Sequence, residues 1–337
     1  MQIVLLCGGI SPERDISLAS GKNVASALRS KGYEVTIVDP AYGSKQPDEE
    51  EILSFSIKTE APTTNNRERT SQRNYIEAVT NGIPDDAGLA FVVLHGTWGE
   101  DGKIQALLEF KGIPYTGSGV LASALAMDKL VSKQIFSECD IPTPPWITVR
   151  KSFDPAGIKR QIEQKFGYPV VVKPVNQGST VGMAIVQDES RLDNAITTAL
   201  RFSDTIIIEM YVSGKEITVS ILNGEALPII EICPKEGYYD YKNKYTPGMT
   251  DYLVPAPLDE NIAKKVRDLS VKAFTVLGCK GFGRIDFRLN NAGEAYCLEA
   301  NTIPGMTNTS LVPKAARAVG IEFDELCDRI VKYALAE

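Results

Sequence analysis

The sequence predicts a mixed α/β protein of two or three lobes. Three observations lead there. The chain opens with an apolar run, a helix and a second apolar run, a β-α-β unit. Strand-like runs then alternate with helical stretches to the far end. Its 337 residues exceed what one compact core ordinarily holds. With 43% hydrophobic and 23% charged residues, the chain is neither disordered nor fibrous.

Residues 2 to 7 (QIVLLC) read as a buried strand ending at Gly8-Gly9. Ser17 is placed as the cap of a helix in which Val24, Ala27 and Leu28 recur at helical spacing before Gly32 stops it. YEVTIVD (33 to 39) is the second strand. From 42 to 75 the chain is polar and turn-rich, so a long surface loop with at most a short helix is expected. LAFVVLHG (89 to 96) resumes the strand pattern, GEDGKIQALLEFKG restarts a helix, and the first lobe closes near Ser118, giving a first domain of 1 to 117.

IPTPPW (141 to 146) is a joint whose prolines discourage helix. YPVVVKPV (168 to 175) and GMAIVQ (182 to 187) are strands separated by the turn NQGST, followed by a helical stretch over 189 to 202. TIIIEMYVSGKEITVSILNG (205 to 224) reads as strand, crossing segment and strand, where a central domain (118 to 208) gives way to a third (209 to 337). Residues 234 to 252, rich in Tyr, Lys, Gly and Pro, show neither period. DENIAKKVRDLSVKAFTVLG (259 to 278) is an amphipathic helix with Ile262, Val266, Leu269, Ala273 and Leu277 on one face. GFGRIDFRL and EAYCLEAN are strands joined by the turn NNAG.

Several function classes are disfavoured. A net charge of −7, from 43 acids against 36 bases, opposes binding to a polyanion, so no nucleic-acid partner is expected. Apolar runs such as VVV and III fall far short of the roughly 20 residues of a membrane span. The start at QIVLL lacks the basic segment and cleavage site of a leader, which predicts a cytoplasmic address. One histidine, His95, excludes two-His zinc sites. Six cysteines without a C-x-x-C pair suit reduced, packed thiols.

Three segments can carry chemistry. In VVVKPVNQGSTVGM, Lys173 leaves a buried strand, which is costly unless its ammonium meets an anion, and the Gly178-Ser179-Thr180 turn offers N–H groups to phosphate oxygens. The plain alternative is a surface lysine beside a hairpin turn. Glu299 and Asn301 stand at alternate positions of one strand and Asp286 on its neighbour, so the three can converge as hard oxygen ligands for Mg²⁺. The plain alternative there is a solvated face on which Arg284 pairs the acids. The loop NTIPGMTNTSLVP could hold a carboxylate or an oxyanion. Gly8-Gly9 with Asp39 suggests a dinucleotide site, but GGISPE is not G-x-G-x-x-G, and Glu13 would sit near the phosphates.

Taken in order, GGISPERDISLASG, LHGTWGEDG, YTGSGVLASALAMDKLVSK, VVVKPVNQGSTVG, EMYVSGKEITV, YYDYKNKY, GRIDF and LEANTIPGMTNTSLVP resemble the ATP-grasp superfamily, and within it the D-alanine-D-alanine ligase family. The resemblance covers nearly the whole chain. It implies an ATP-grasp fold, with a Rossmann-like first lobe and two further lobes sandwiching the nucleotide. The implied cofactors are ATP and Mg²⁺, with two ions and Mn²⁺ as a possible substitute. The implied activity makes D-alanyl-D-alanine through a D-alanyl phosphate, for peptidoglycan synthesis, and the implied assembly is a homodimer.

The resemblance also assigns residues. Lys129 and Lys173 match nucleotide-phosphate contacts, Glu209, Met210, Tyr211 and Val212 the adenine pocket, and Glu216 the ribose contact. Asp286, Glu299 and Asn301 match the magnesium ligands. Glu13 matches the anchor of the first D-alanine's amino group, held by Ser179 and Tyr245, with His95 near the same substrate. Arg284 and the Gly305 N–H match oxyanion stabilisers. Ser310, Leu311 and Lys244 match the second substrate's carboxylate pocket or a γ-phosphate contact. Tyr245 favours an amine nucleophile, since relatives that use D-lactate include some with Phe there. The irregular stretch 236 to 252 is suited to be a lid. Remaining alternatives are a D-alanine-D-lactate or D-serine ligase, an ATP-binding regulator without activity, which D-alanine-dependent phosphate release would exclude, and a dehydrogenase, which NADH absorbance would reveal.

Overall fold

The computed structural model describes residues 1–56, 69–239, 243–244, 246 and 248–336. Three sheets organise them. In the first, β1 (Gln2–Leu6) lies between β2 (Glu34–Val38) and β3 (Leu89–Val92), parallel to both. Both faces are covered, as parallel sheets require. Ile3 and Leu5 enter one core while Val4 and Leu6 enter another, the period-2 alternation of a strand.

Helix α1 (Arg14–Ser30) begins before the expected start, and Glu13 holds the N-cap position. Ser17 is therefore no cap. It is fully buried inside the helix, where its hydroxyl accepts from Gly8 N–H (2.8 Å) and donates to the Val93 carbonyl (2.7 Å). Of the stretch from 42 to 75, residues 57 to 68 lie outside the described residues, and the described parts hold more helix than expected: the short α2 (Glu49–Ile52) and α3 (Arg69–Glu77), which continues as a π-helical turn, Ala78–Gly82. Tyr75, Ala78 and Val79 bury themselves beneath the first sheet, and Tyr75 Oη accepts from Ile10 N–H at 3.2 Å. Strand β3 ends at Val92 instead of running to 96.

Helices α4 (Lys103–Lys111), α5 (Val120–Met127) and α6 (Lys129–Glu138) lead to the second sheet. Its strands β4 (Trp146–Arg150), β5 (Val170–Pro174), β6 (Ala184–Val186) and β7 (Thr205–Met210) run antiparallel in the order β4-β7-β5-β6. Helices α7 (Pro155–Lys165) and α8 (Leu192–Ala199) press Ile158, Ile162, Leu192 and Ile196 onto Val170, Val172, Ile206 and Ile208.

The third sheet is antiparallel, in the order β11-β10-β8-β12-β13 with β9 attached to β8. Its strands are β8 (Lys215–Leu222), β9 (Glu225–Ala226), β10 (Ile230–Pro234), β11 (Thr250–Leu253), β12 (Phe282–Leu289) and β13 (Ala295–Asn301). β11 forms within the stretch read as aperiodic, paired to β10 by its backbone. Helix α9 (Glu260–Val276) sends Val266 and Ala273 into the core of this sheet, joined by Leu277 just beyond its end, with Ile262 and Leu269 at the margin. Ala122, Ala126 and Phe136 of α5 and α6 enter the same core. Finally α10 (Leu311–Arg317) and α11 (Phe323–Ala336) bring Leu326, Cys327, Ile330 and Val331 back against Ile3, Leu5, Val24 and Leu28 of the first lobe. All six cysteines are free, and Cys7, Cys279, Cys297 and Cys327 are buried. Among the described residues no helix is long and apolar enough to cross a membrane.

Candidate active site

A cleft with about 990 Å³ of empty space separates the second and third sheets, and Lys129, Lys173, Glu209, Met210, Tyr211, Val212, Glu216, Asp286 and Glu299 line it. Local structure explains why they converge. Asp128 caps α6 by accepting from Leu130 N–H (2.9 Å) and Val131 N–H (3.1 Å), which fixes the first turn and aims Lys129 inward. Lys129 Nζ reaches Glu299 Oε2 at 2.9 Å and the Gln177 carbonyl at 2.9 Å. Lys173 pairs with Ile207 across the ladder, so Glu209, two residues on, shares its face. Lys173 Nζ lies 2.5 Å from Glu209 Oε1.

Both carboxylates feel opposing forces. Burial works to raise the Glu209 carboxyl, but the ammonium groups of Lys133 and Lys173 outweigh it and hold it below its ordinary value. Glu299 is likewise depressed, with Lys129, Lys173 and Lys244 overcoming burial. Glu216 differs. Burial pushes it up to about 7 in spite of Lys244 and Arg288, so a carboxyl that is only about half ionised at neutral pH faces the cleft. The Met210 and Tyr211 N–H groups donate to the Pro145 and Pro169 carbonyls (2.9 and 3.2 Å), so these two donors are engaged within the protein.

A second cleft, with about 1660 Å³ of empty space, meets the first. It is lined by Glu13, His95, Arg284, Asn301, Gly305, Ser310 and Leu311, and it shares Ser179, Lys244 and Glu299 with its neighbour. The Ser179 hydroxyl donates to Glu13 Oε1 across the gap between lobes. Gly178 makes this approach possible, because a Cβ there would stand 2.7 Å from Glu13 Oε2. His95 is buried, with Nε2 lacking a hydrogen-bond partner. Burial lowers its basicity despite nearby Glu13, so the ring is a neutral imidazole. On the far side Ser310 Oγ accepts from Thr307 N–H at 3.0 Å at the head of α10. Tyr245 lies outside the described residues.

The ladder of β12 and β13 sets Asp286 opposite Glu299 and Arg284 opposite Asn301. Arg284 Nε and Nη2 donate to Asp286 Oδ1 and Oδ2 (2.8 and 2.9 Å), Asn301 Nδ2 donates to Oδ2 (3.0 Å), and the Thr218 hydroxyl donates to Oδ1 (2.6 Å). Arg284 therefore does pair an acid, as the plainer reading held, but at a cleft wall. No cluster of three His, Cys, Asp or Glu side chains suited to a metal occurs among the described residues. Two carboxylates and a carboxamide are nonetheless a set of hard oxygen donors from adjacent positions. That chemistry fits Mg²⁺, which takes few protein ligands and completes its shell with water and phosphate.

Two site residues escaped the sequence reading. Glu100 accepts from Gly96 N–H at 2.7 Å and faces Glu13, and burial with that neighbouring charge pushes it up to about 8. Lys133, one helical turn beyond Lys129 on the same face of α6, is fully buried 3.0 Å from Glu209 Oε2. The i, i+4 lysine pair in DKLVSK was its only available signal.

Two family models match the chain: "D-ala D-ala ligase N-terminus" over residues 2–118 and "D-ala D-ala ligase C-terminus" over 135–332. A D-alanine–D-alanine ligase of Syntrophotalea carbinolica is 43% identical over 333 residues, spanning 99% of this chain and 96% of that protein. Among solved structures, a D-alanine–D-alanine ligase of Bacillus anthracis complexed with ATP superposes with a TM-score of 0.79 at 31% identity, covering 100% of this chain and 98% of that one. The VanG D-Ala:D-Ser ligase of Enterococcus faecalis superposes with a TM-score of 0.79 at 27% identity, covering 99% of each chain.

Proposed function

The chain belongs to the D-ala D-ala ligase family, and we propose that its joined clefts perform that family's reaction, the ATP-dependent condensation of two D-alanines for peptidoglycan synthesis. One observation carries the assignment of roles. A cation-lined cleft and a carboxylate-anchored cleft meet at Ser179, Lys244 and Glu299, so a phosphoryl donor in one reaches an amino acid in the other.

A carboxylate is a poor electrophile. Transfer of the γ-phosphoryl group of ATP to the first D-alanine makes an acyl phosphate, and Lys129 and Lys173 offset the charge that moves. Glu209 through Val212 form the adenine pocket and the carboxyl of Glu216 meets the ribose hydroxyls. Glu13, fixed by Ser179, anchors the first amino group, with His95 beside it and Tyr245 assigned to the same network. The amine of the second D-alanine, its carboxylate held by Ser310, Leu311 and Lys244, attacks the acyl phosphate and expels phosphate. The developing oxyanion is stabilised by the Gly305 N–H and by Arg284, whose Nη1 takes no part in the Asp286 fork. Each such donor is worth about 3 kcal/mol. Asp286, Glu299 and Asn301 would hold Mg²⁺, one ion or two, with Mn²⁺ as substitute; the metal supplies charge neutralisation to the triphosphate.

Division into 1 to 117, 118 to 208 and 209 to 337, with 236 to 252 as lid over the acyl phosphate, completes the proposal, together with a cytoplasmic homodimer. Lys244 at the edge of both clefts supports the lid. Incubation with MgATP and a panel of D- and L-amino acids and D-hydroxy acids, read by mass, tests the reaction. D-Alanyl-D-alanine with stoichiometric ADP and phosphate is the expected product. D-Alanyl-D-serine, a D-lactate ester or no product would overturn it.

A further inference from the structure

We propose that Lys133 is a positioning residue: a fixed counter-ion for Glu209 that leaves Lys173 free to move its charge onto the nucleotide. This rests on the ATP reading above and adds to it a residue with no assigned part.

Three buried groups form the device. Glu209 is 2% exposed, Lys173 7% and Lys133 fully buried. One carboxylate therefore stands between two ammonium groups, Lys173 at Oε1 and Lys133 at Oε2. The trio holds one positive charge more than it neutralises, in surroundings where an uncompensated charge is costly. An arriving phosphate supplies the missing anion.

The two lysines are not equivalent. Lys173 lines the cleft; Lys133 does not. Lys133 Nζ is tied instead to Thr143 Oγ1 at 2.6 Å and sits 5.4 Å from the centroid of the Trp146 ring. Burial lowers its basicity and Lys173 adds to the effect, as an ammonium in a site with surplus positive charge would show. When Lys173 swings to a phosphate oxygen it abandons Glu209. If Glu209 had no other partner, a buried carboxylate would be left alone, and that cost would be subtracted from nucleotide affinity. Lys133, held in place and already 3.0 Å away, removes it.

A double-mutant cycle tests this, with KM for ATP, KM for D-alanine and kcat measured on wild type, Lys133→Met, Glu209→Gln and the double variant. With Glu209 present, Lys133→Met is expected to raise KM for ATP at least tenfold while KM for D-alanine changes less than twofold. Once Glu209→Gln has removed the buried anion, adding Lys133→Met should change KM for ATP less than twofold. Should Lys133→Met alone fail to fold, comparison of Glu209→Gln with the double variant still decides, because neither carries an unpaired buried carboxylate. An unchanged KM for ATP in the single variant, or a tenfold rise that persists when Lys133→Met is combined with Glu209→Gln, would overturn the proposal. A wild-type protein that binds no ATP would sink the ligase reading itself, whereas wild-type binding with an uncoupled cycle removes only the role of Lys133.

Discussion

At the residue scale, the site is a set of charges whose states depend on their company. Glu100 shows this most clearly, with its carboxyl pushed up to about 8 from an ordinary 4.5 by burial first and by Glu13 second. Between those values the folded protein holds a proton that the unfolded chain has released. Its stabilising contribution is therefore full below about pH 4.5 and is lost as pH rises toward 8. Relative to Glu100→Gln, the wild type should lose on the order of 1–3 kcal/mol of stability between pH 5 and 8. Urea titrations of both proteins across that range measure it, and parallel stability curves would show that Glu100 is ionised throughout. Little of this could be read from the chain. LHGTWGEDG marks Glu100 only as one acid among several, because its proton affinity is set by Gly96, Glu13 and the Ile303 backbone, which meet it only after folding. Lys173 was legible, since a lysine in a run of valines has few uses. Lys133 was not, since K-L-V-S-K reads as an ordinary helix face until Glu209 is set against it.

At the element scale, α1 ties the first lobe to two cleft-lining loops, the turn at Ser179 and the loop that carries Gly305. Glu13 at its head accepts from Ser179, Ser17 near its start joins the Gly8 turn to the end of β3, and Ser20 one turn on accepts from Met306 N–H at 3.1 Å, fixing the loop that carries Gly305. Replacing Ser17 with alanine leaves a buried donor and a buried acceptor unpaired. The expected loss is about 2–3 kcal/mol of unfolding free energy. Denaturant unfolding reads it directly, and a loss under about 0.5 kcal/mol would contradict the bridging role. Helix α1 was legible in its Val24, Ala27 and Leu28, yet its start was not. A serine before an apolar periodicity looks the same whether it caps a helix or lies inside one. Helix α3 was hidden for a related reason: RTSQRNYIE offers the core one large side chain, Tyr75, and a lone aromatic makes no period. The β12–β13 pairing was legible in its alternation and the NNAG turn, but its register at the site was not: an irregularity between Asp286 and Phe287 shifts the ladder by one residue and sets Asp286 opposite Glu299.

At the scale of the whole molecule, the clefts are walled by different sheets, so a ligand spanning them couples the lobes. Saturating MgATP should raise the apparent unfolding midpoint by several degrees, the consequence of about 2.7 kcal/mol at a hundredfold excess over Kd. It should also slow amide exchange along 248 to 253 beside Lys244. Excess EDTA should abolish both effects. A midpoint raised equally with and without EDTA would remove Asp286, Glu299 and Asn301 from metal binding.

The return of Leu326, Cys327, Ile330 and Val331 to the core beneath Ile3 and Leu5 sets an order of events during biosynthesis. Residues 2 to 6 leave the ribosome more than three hundred residues before the last of the side chains in their core. The opening sheet of a nascent chain must therefore wait with α1 alone packed on that face, its cover incomplete until the last helix is released.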